Sequence, residues 1–495
     1  TIMTPNKQKI IITKELKTIL ENGLAFHRLG NFEEAKRKYE FVLETYPNNY
    51  DALHLLGTIY YQLDKYDEAI TLITKAIKLY QKSSLFYNNR GLAFQKTYAL
   101  DKASLDFKKA IKLNPSNVEA YNNYAMVLKD LYLWENAILF INKAITLDRD
   151  NIVLYVTKGI ILRELGLLEE SLATLNIALS IDKEYPDALF AKSLTLIKSG
   201  NLKEGWRLYE HRWRSKSHTS PYLKSNKPQW DGVKHQKSIL LWKEQGIGDE
   251  IMLSSLITNL SKYCNKLYVI TEERLISLFK RSFSKDISFL SHNESFDTLE
   301  YDAHIPIFSL PLHFKNNNKD YAQKFLFADK NRTKNIKEQI PAEDNKKICG
   351  ISWKSGSIAT GNDRTIYLHS FIKSLDTENL VLVNLQYGDV SKEIHDVKNK
   401  LGVIIHQIKS VDNFKDLDGL ASLIESCNLV ISTDSATIHL SGALGVETHL
   451  LLPYNSSFRW QIENKSIWYD SLNIYSQKRD LKWSSLFQQI NNNIR

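Results

Sequence analysis

The residues best suited to bind a phosphate lie near the end of the chain, where a predicted strand runs into a helix. Segment 431–445 reads I-S-T-D-S-A-T-I-H-L-S-G-A-L-G and overlaps an apolar run, Cys427–Ile431, that predicts a buried strand. Apolar residues beyond Asp434 fall at helical spacing, so a helix is predicted to begin in this turn of small residues. Its unpaired N–H groups and dipole favour a phosphate. The alternative is that Thr433, Asp434 or Ser435 only caps the helix.

A second turn of the same kind comes after the predicted strand Ser238–Trp242. It reads K-E-Q-G-I-G-D-E over residues 243–250, and a helical run over residues 251–260 comes next. The turn has neither the G-x-G-x-x-G spacing of a dinucleotide fold nor the G-K-[ST] ending of a P-loop. It does place a carboxylate, Asp249, at the mouth of an α/β unit, where ligands bind in open parallel sheets. The alternative is that Asp249 is the N-cap of its helix.

Together with two further motifs, these turns resemble a known family. G-I-S-W-K ends at Lys354, N-D-R ends at Arg364, and the tail L-P-Y-N-S-S-F-R-W covers residues 452–460. In this order the motifs resemble the heptosyltransferase-like glycosyltransferases with a two-lobed GT-B fold. They resemble more closely the bacterial proteins in which such a domain follows tetratricopeptide repeats. Heptosyltransferases have T-D-T-G where this chain has Thr433–Ala436, so a heptose donor does not follow from the resemblance.

The resemblance implies a glycosyltransferase that takes a sugar from a nucleotide-sugar donor, with inversion and without a metal or other cofactor. Asp249 would be the base that accepts the proton of the acceptor hydroxyl. Donor phosphates would be bound where negative charge grows on the leaving group. The nucleotide-sugar residues so predicted are Gln245, Gly248, Lys354, Arg364, Gln386, Thr433, Asp434, Ser435, Ala436 and His439.

Several of these residues have simpler interpretations. His439 could be a core histidine, and Lys354 and Arg364 could be surface cations. Residues 416–418 read D-L-D and resemble the metal motif of other transferases, but the apolar helical pattern after them favours the start of a surface helix. We therefore predict no metal site.

The first 219 residues contain a repeat. Blocks that begin at Leu16, Tyr50, Ser84, Val118, Ile152 and Pro186 align without a gap at the 34-residue period of tetratricopeptide units. Small residues occupy the eighth and twentieth positions, which indicates that the two helices of a repeat cross closely. The sixth block ends in an aromatic and basic stretch, Gly205–Trp213. We expect this stretch to dock the solenoid onto the next domain of the chain, since terminal repeats are atypical.

Asparagines recur on the first helix of two consecutive repeats. Stacked repeats form a superhelix whose concave side binds peptides or partner proteins. An amide both donates and accepts hydrogen bonds, so a column of amides can hold a peptide backbone, as the comparable ladder of the protein O-GlcNAc transferases does. The alternative is a set of solvated polar residues on a helix face. The predicted acceptor-peptide residues are Asn88, Asn89, Asn122 and Asn123.

The pattern beyond the repeats predicts an α/β domain. Residues 220–236 form a polar linker or packed connector, residues 237–339 a first lobe on the acceptor side, and residues 340–495 a second lobe on the nucleotide-sugar side. Apolar strand-like runs alternate with helical patterns, which indicates parallel sheets. A loop is predicted at Asn316–Asp320, and the amphipathic segment Trp483–Ile494 is expected to pack back on the first lobe. The predicted architecture is an α-solenoid of tetratricopeptide repeats followed by a GT-B domain of two Rossmann-like lobes.

The composition of the chain bears on its cell compartment and on the class of partner that it binds. A chain of 495 residues, 43% of them hydrophobic, is long enough for several packed cores. Three widely spaced cysteines favour a reducing compartment, and no run reaches the roughly 20 apolar residues of a membrane span. With no signal peptide either, the sequence predicts a cytoplasmic protein. The net charge is +9, with ten Lys/Arg and three Asp/Glu between Lys203 and Lys243, yet no nucleic-acid reader motif is present, so we predict no nucleic-acid partner.

The sequence thus predicts a transferase whose repeats recruit a protein acceptor. The resemblance makes Ser or Thr hydroxyls of flagellin or another surface protein the expected acceptors. One alternative is a non-catalytic scaffold with a degenerate GT-B domain, and another is a transferase that acts on lipopolysaccharide or a different glycan. The donor base, the donor sugar and the existence of a homodimer stay open.

Overall fold

The computed structural model describes residues 5–234, 237–296, 298–315, 323–341, 343–356, 363–460 and 466–494, with side chains from residue 14 onward. The predicted loop Asn316–Asp320 and Asn362 of the N-D-R motif lie outside the described residues. The chain divides into two compact units, Thr1–Lys183 and Glu184–Arg495.

The described part of the first unit consists of helices that pack in successive pairs. The predicted period is confirmed, because the first helix of the second to fifth repeats begins at the expected residue. The residue just before each of these four helices, from Asn49 to Asn151, is its N-cap. The side chain of that residue accepts a hydrogen bond from a backbone N–H group of the helix. The helices are α1 (Pro5–Arg28), α2 (Phe32–Thr45), α3 (Tyr50–Gln62), α4 (Tyr66–Leu79), α5 (Ser84–Lys96), α6 (Leu100–Leu113), α7 (Val118–Asp130), α8 (Trp134–Leu147), α9 (Ile152–Glu164) and α10 (Leu168–Ile181).

Close helix crossing inside each repeat, inferred from the small residues, is also confirmed. A Cβ atom placed on Gly57 would lie 2.7 Å from Cγ1 of Ile73, and one on Gly91 would lie 2.8 Å from the ring of Phe107. In both repeats the obstructing side chain belongs to the second helix of the same pair. A larger residue at the eighth position would therefore force the two helices apart.

The turn inside each repeat holds one residue in the left-handed region. The φ angle is 59° at Asp64, 58° at Tyr98 and 61° at Tyr132, whereas glycine occupies the equivalent position at residues 30 and 166. Left-handed backbone costs a residue with a Cβ about 1–2 kcal/mol, and glycine almost nothing. Three repeats therefore keep this turn although the residue they have there disfavours a positive φ.

The second unit contains two sheets in which all described strand pairs are parallel, so the prediction of parallel sheets is confirmed. One has four strands in the order β3-β2-β1-β4, and the other has six in the order β10-β9-β8-β5-β6-β7. The last two strands were not predicted. The strands are β1 (Ser238–Trp242), β2 (Lys266–Thr271), β3 (Ile287–Ser291), β4 (Ala303–Pro306), β5 (Lys347–Ser352), β6 (Leu380–Asn384), β7 (Ile405–His406), β8 (Leu429–Thr433), β9 (Glu447–Leu452) and β10 (Leu472–Ser476).

Helices cover the faces of these sheets, and two of them meet between the sheets. The helix after β1 packs on the helix after β8, and the contact is closest at Gly248, where an added Cβ would lie 2.8 Å from Cδ2 of His439. The helices are α11 (Pro186–Lys198), α12 (Leu202–Tyr209), α13 (Ile247–Ser254), α14 (Ile257–Ser261), α15 (Ile276–Ser282), α16 (Leu310–Phe314), α17 (Lys330–Lys337), α18 (Leu368–Ser374), α19 (Ser391–Leu401), α20 (Leu417–Glu425), α21 (Ala436–Ala443) and α22 (Ser484–Ile494).

The sixth repeat, α11 and α12, belongs to the second unit. The Trp206 ring packs at 6.3 Å from the rings of Phe458 and Trp468. Part of the predicted docking is confirmed, because the stretch Gly205–Trp213 packs on the α/β part of its own unit. The next segment is a packed connector, since Trp230 is buried and its backbone N–H donates to the carbonyl of His304 at 2.8 Å.

The C-terminal helix α22 packs on the six-stranded sheet, so the expectation that it packs on the first lobe is wrong. Phe487 meets Phe371 with ring centroids 4.9 Å apart, and Lys347 Nζ donates to the carbonyl of Ile494 at 3.2 Å. Its apolar face joins the core formed by one side of that sheet. The amphipathic pattern predicted a buried face but could not identify the surface that buries it.

Candidate functional site

A cavity of about 570 Å³ lies at the carboxyl ends of β1, β6 and β8 in the second unit. This volume is typical of sites for small organic ligands, and the ends of parallel strands are where such ligands bind in α/β folds. The predicted site residues that the structure brings together around it are Gly248, Asp249, Arg364, Asp434, Ser435, Ala436 and His439. Its other lining residues are Gly246, Ile247, Arg274, Ser355, Gly356, Tyr387, Asn413, Phe414, Leu417, Leu420, Thr437 and Arg459.

One wall of the cavity is the N-terminus of α21. Ser435 occupies the N-cap position, but its side chain makes no capping hydrogen bond. The hydroxyls of Thr433 and Ser435 are buried and lack hydrogen-bond partners among the described residues. Because buried polar groups are normally paired, these two hydroxyls, together with the first N–H groups of α21, favour a polar ligand at this turn.

Arg364 lies over the same turn, paired with Asp434. Its Nη1 is 3.2 Å from Oδ2 of Asp434, and the two side chains are 21% and 5% exposed. The alternative that Arg364 is an ordinary surface cation does not fit this burial. The carboxylate fixes the guanidinium at the cavity wall, where the other guanidinium nitrogens can meet an anion.

His439 is both buried and part of the cavity lining. Its Nδ1 lies 2.9 Å from the hydroxyl of Tyr469, and its ring stacks on Trp460 at a centroid distance of 5.3 Å. Burial lowers the pKa of His439 to about 4, and the nearby Asp434 carboxylate only partly opposes this shift. His439 is therefore neutral at pH 7. With Tyr469 donating to Nδ1, the Nε2–H of the ring can donate to a ligand oxygen.

Asp249 is the third residue of α13, whose N-cap is Gly246, so the alternative that Asp249 caps the helix is wrong. The carboxylate of Asp249 forms a two-pronged ion pair with Arg459. Nε of Arg459 donates to Oδ1, and Nη2 donates to Oδ2 at 2.9 Å. The same Nη2 donates to Oε1 of Gln245 at 2.9 Å. Gln245 thus contributes to the site by holding Arg459 and does not line the cavity itself.

Arg459 was not predicted as a site residue. Burial lowers the pKa of its guanidinium, but the Asp249 carboxylate and its hydrogen bond outweigh that effect, so the pKa is raised. The guanidinium also lies over the rings of Phe458 and Phe308, at 4.9 and 5.8 Å. The side chain comes from the segment after β9, whereas Asp249 follows β1. The ion pair therefore joins the two sheets of the unit across the cavity.

Lys354 and Gln386 shape the loops beside the cavity and do not line it. Lys354 Nζ pairs with Oε1 of Glu393 at 2.5 Å. Gln386 is buried, and its Oε1 accepts from the Ser352 hydroxyl at 3.0 Å and from the N–H groups of Trp353 and Lys354 at 2.9 Å. The Gln386 side chain thus fixes the turn after β5. A second cavity of about 640 Å³ adjoins the first through Tyr387, Asn413 and Phe414, and Gln386 lines that one.

The predicted metal-like motif at residues 416–418 is the start of a helix, as expected, but most residues of α20 are buried, so the expectation of a surface helix is wrong. Asp416 caps α20 by accepting the N–H of Gly419 at 2.8 Å, and Asp418 pairs with Arg281 at 2.6 Å. Within the described ranges, no three His, Cys, Asp or Glu side chains lie together as a metal site would need. None of the helices in those ranges is both long and apolar enough to span a membrane.

In the first unit, the predicted asparagines bond to neighbouring repeats. Asn88 is fully buried, its Nδ2 is 3.3 Å from Oε1 of Glu119, and its Oδ1 accepts from Asn123 at 3.1 Å. Asn89 Nδ2 lies 2.9 Å from Nε2 of His54. The buried Oδ1 of Asn122 has no hydrogen-bond partner in the part of the chain that is described. The amides therefore form a network along the repeats, in which Asn88 is closed to a ligand.

Comparisons with known proteins identify the repeats. Family models described as tetratricopeptide repeat match residues 27–88, 85–117 and 107–138. The N-terminal region is therefore a solenoid of tetratricopeptide repeats. Among solved structures, those of MamA and of YrrB, a TPR protein with an unusual peptide-binding site, are 27% and 20% identical to this chain. Their TM-scores are 0.30 and 0.32; the matches cover 32% and 38% of this chain, and 94% and 98% of those proteins.

One curated relative matches a longer stretch. Protein FlbA of Caulobacter vibrioides is 29% identical over 314 residues, which is 59% of this chain and 52% of FlbA. The chain thus spans about half the length of this relative. A match of 314 residues is longer than the first 219 residues, so the similarity extends beyond the repeats into the α/β region.

Proposed function

We propose that the chain is a glycosyltransferase of the GT-B class that transfers a sugar from a nucleotide-sugar donor to a protein acceptor recruited by the repeats. One observation carries the proposal. Three arginines, Arg274, Arg364 and Arg459, converge with the N-terminus of α21 on one cavity at the carboxyl ends of parallel strands. Guanidinium groups and helix N-termini are the elements with which proteins bind phosphate.

The charge of the lining supports an anionic ligand. Each of the three arginines is paired with a carboxylate, Arg274 with Glu272 at 3.1 Å, so the arginines supply directed N–H donors and the dipole of α21 supplies positive potential. The donor diphosphate would lie against Arg364 and the turn at Ser435. Neutral His439 would donate a hydrogen bond from Nε2 to a phosphate oxygen.

Each residue then has a defined role in the transfer. The bond between the anomeric carbon and the phosphate oxygen breaks, and the nucleoside diphosphate leaves with the electron pair. The acceptor oxygen, a Ser or Thr hydroxyl, forms the new bond and gives its proton to the Asp249 carboxylate. Arg364, His439 and the N–H groups of α21 stabilise the charge that grows on the leaving phosphate.

The protein acceptor is assigned to the tetratricopeptide repeats, because solenoids of this class bind extended peptides along their concave side. The match to FlbA is too long to lie within the first 219 residues alone, which favours a function that involves the α/β region. Flagellin or another surface protein is the proposed acceptor.

The Asp249–Arg459 ion pair favours a second candidate, a repeat scaffold whose α/β unit binds a nucleotide without turnover. Both carboxylate oxygens of Asp249 accept hydrogen bonds from Arg459, and this ion pair stabilises the anion and so opposes proton transfer to it. A scaffold would show nucleotide binding but no transfer.

Thermal unfolding in the presence of UDP, ADP, GDP, CMP and their sugar conjugates tests the site. A ligand at about 100 times its Kd adds about 2.7 kcal/mol to the free energy of unfolding, so one nucleotide family should raise Tm clearly. Arg364→Gln should abolish that shift. Arg281→Gln is the matched control, since Arg281 pairs with Asp418 away from the cavity. If no nucleotide shifts the wild-type Tm, the proposed donor site is wrong.

A further inference from the structure

Arg459 has hydrogen-bonding capacity left over after its ion pair is made. Nε and Nη2 are used by Asp249 and Gln245, and among the described residues Nη1 has no hydrogen-bond partner. The side chain is 18% exposed and lines the same cavity as Arg364. A ligand in the cavity can therefore reach this guanidinium without any rearrangement of the backbone.

The turn that we assign to the donor phosphates lies next to the Asp249 turn. A Cβ placed on Gly248 would be 3.7 Å from Cα of Ala436, the first residue of α21. A diphosphate at the N-terminus of α21 and the carboxylate of Asp249 would therefore be neighbouring anions. Arg459 stands close to both and has only one guanidinium to share between them.

A carboxylate and a diphosphate compete unequally for one arginine. The diphosphate carries more negative charge and offers more acceptor oxygens, so it is the stronger partner for a planar guanidinium. While Arg459 holds both oxygens of Asp249, its two charge-assisted hydrogen bonds stabilise the carboxylate anion, so this carboxylate accepts the proton of a hydroxyl less readily than a free one. The ion pair thus opposes the function of the base.

We propose that Arg459 exchanges between two anions, the Asp249 carboxylate and the donor diphosphate, so that donor binding frees the base. This inference rests on the proposed function and deepens it, because it gives the same site a regulatory step. No covalent bond changes in the exchange. One ion pair replaces another, and the carboxylate is released as a proton acceptor when a donor is in place.

Binding of inorganic pyrophosphate and of the nucleoside diphosphate that stabilises the protein tests the exchange, measured by calorimetry on the full chain. Asp249→Asn removes the competing charge and should tighten binding about tenfold. Arg459→Gln should weaken binding at least tenfold. In the double variant the gain from Asp249→Asn should vanish, leaving the affinity of Arg459→Gln alone.

The outcomes separate the two proposals. If the wild type binds neither pyrophosphate nor any nucleoside diphosphate, the proposed function fails. If the wild type binds but Asp249→Asn leaves affinity unchanged or weakens it, the ion pair is a fixed structural bridge and the exchange is wrong. Circular dichroism checks the fold, and Asp249→Ser replaces the Asn variant if that does not fold. Unchanged binding in Arg459→Gln also overturns the exchange by itself.

Discussion

Arg212 donates to both carboxylate oxygens of Glu244, from Nε at 2.9 Å and from Nη2 at 3.0 Å, and neither side chain is exposed to solvent. Arg212 lies directly after the sixth repeat, and Glu244 begins the turn that carries Asp249. The backbone N–H of Phe308 also donates to Glu244, to Oε1 at 2.9 Å. A buried ion pair thus fixes the end of the solenoid to the turn that forms one wall of the cavity.

Arg212→Ala should lower the free energy of unfolding of the second unit by about 3–5 kcal/mol, because a buried carboxylate is left without its partner. Burial already raises the pKa of Glu244 above its ordinary value, with Arg212 opposing that effect. Without Arg212 the folded-state pKa of Glu244 lies still further above its unfolded-state pKa. The loss of stability should therefore shrink as the pH falls and Glu244 takes up a proton. Thermal unfolding at several pH values measures both effects.

The double variant Arg212→Met with Glu244→Gln is the control for this pair. It removes both charges and keeps the volume, so most of the lost stability should return. If Arg212→Ala unfolds at the wild-type temperature, the pair does not hold the turn.

Asp249→Ala should reduce the rate of sugar transfer by about 10²–10⁴-fold, the usual contribution of a general base, while nucleotide binding is retained. Transfer is measured with the donor that stabilises the protein and an acceptor that the repeats bind. Asp418→Ala is the matched control, since that carboxylate pairs with Arg281 and does not line the cavity. Transfer that persists in Asp249→Ala would move the base to another residue, and a wild type without transfer would support the scaffold.

Removal of residues 1–183 should leave a folded second unit, because the cut falls at the boundary between the two compact units. Removal of residues 1–219 should not, since it also takes Trp206 and Arg212 out of the core. Size-exclusion chromatography and thermal unfolding compare the two truncations. The protein that lacks only residues 1–183 should still bind nucleotide but should no longer transfer sugar to a protein acceptor. Transfer to lipopolysaccharide or another glycan at the full rate would instead show that the repeats do not select the acceptor.

Tyr98→Gly should raise the free energy of unfolding of the first unit by about 1 kcal/mol. Tyr98 has a φ of 58° and an exposed side chain, so glycine relieves backbone strain and removes little packing. Tyr98→Ala keeps the strained backbone and should give no gain. Urea unfolding measures the change, and equal stability of the two variants would contradict the argument.

How far the sequence predicts the site depends on the kind of signal each residue carries. Asp249 and His439 were found because they stand in turns that follow strands, and parallel strands bring their carboxyl ends to one edge, whereas Arg364 was found from the family resemblance of its N-D-R motif. Arg459 and Arg274 have no such pattern around them, and only tertiary packing brings them to the cavity. The only available signal for Arg459 was its place in the tail motif, which gave no reason to choose that residue.

The fold shows the same division. The starts of the second to sixth repeats were predicted to the residue because a 34-residue period repeats along the chain, whereas the first helix begins at Pro5, ahead of the predicted Leu16. Strands β9 and β10 were missed, since polar residues interrupt their apolar runs, Thr448 and His449 in β9 and Asn473 in β10. Helix α22 was predicted as an element but assigned to the wrong sheet, because its apolar face would suit any hydrophobic surface.

The width of the cleft in the second unit depends on one position, Gly248. At this residue only a hydrogen atom separates the backbone of α13 from the imidazole of His439. Any added side chain would press on the His439 ring and on the backbone of Ala436, and so would push α13 and α21 apart. The width of the cleft, and with it the size of the molecule that fits, is therefore tunable by substitution at a residue that has no chemistry of its own.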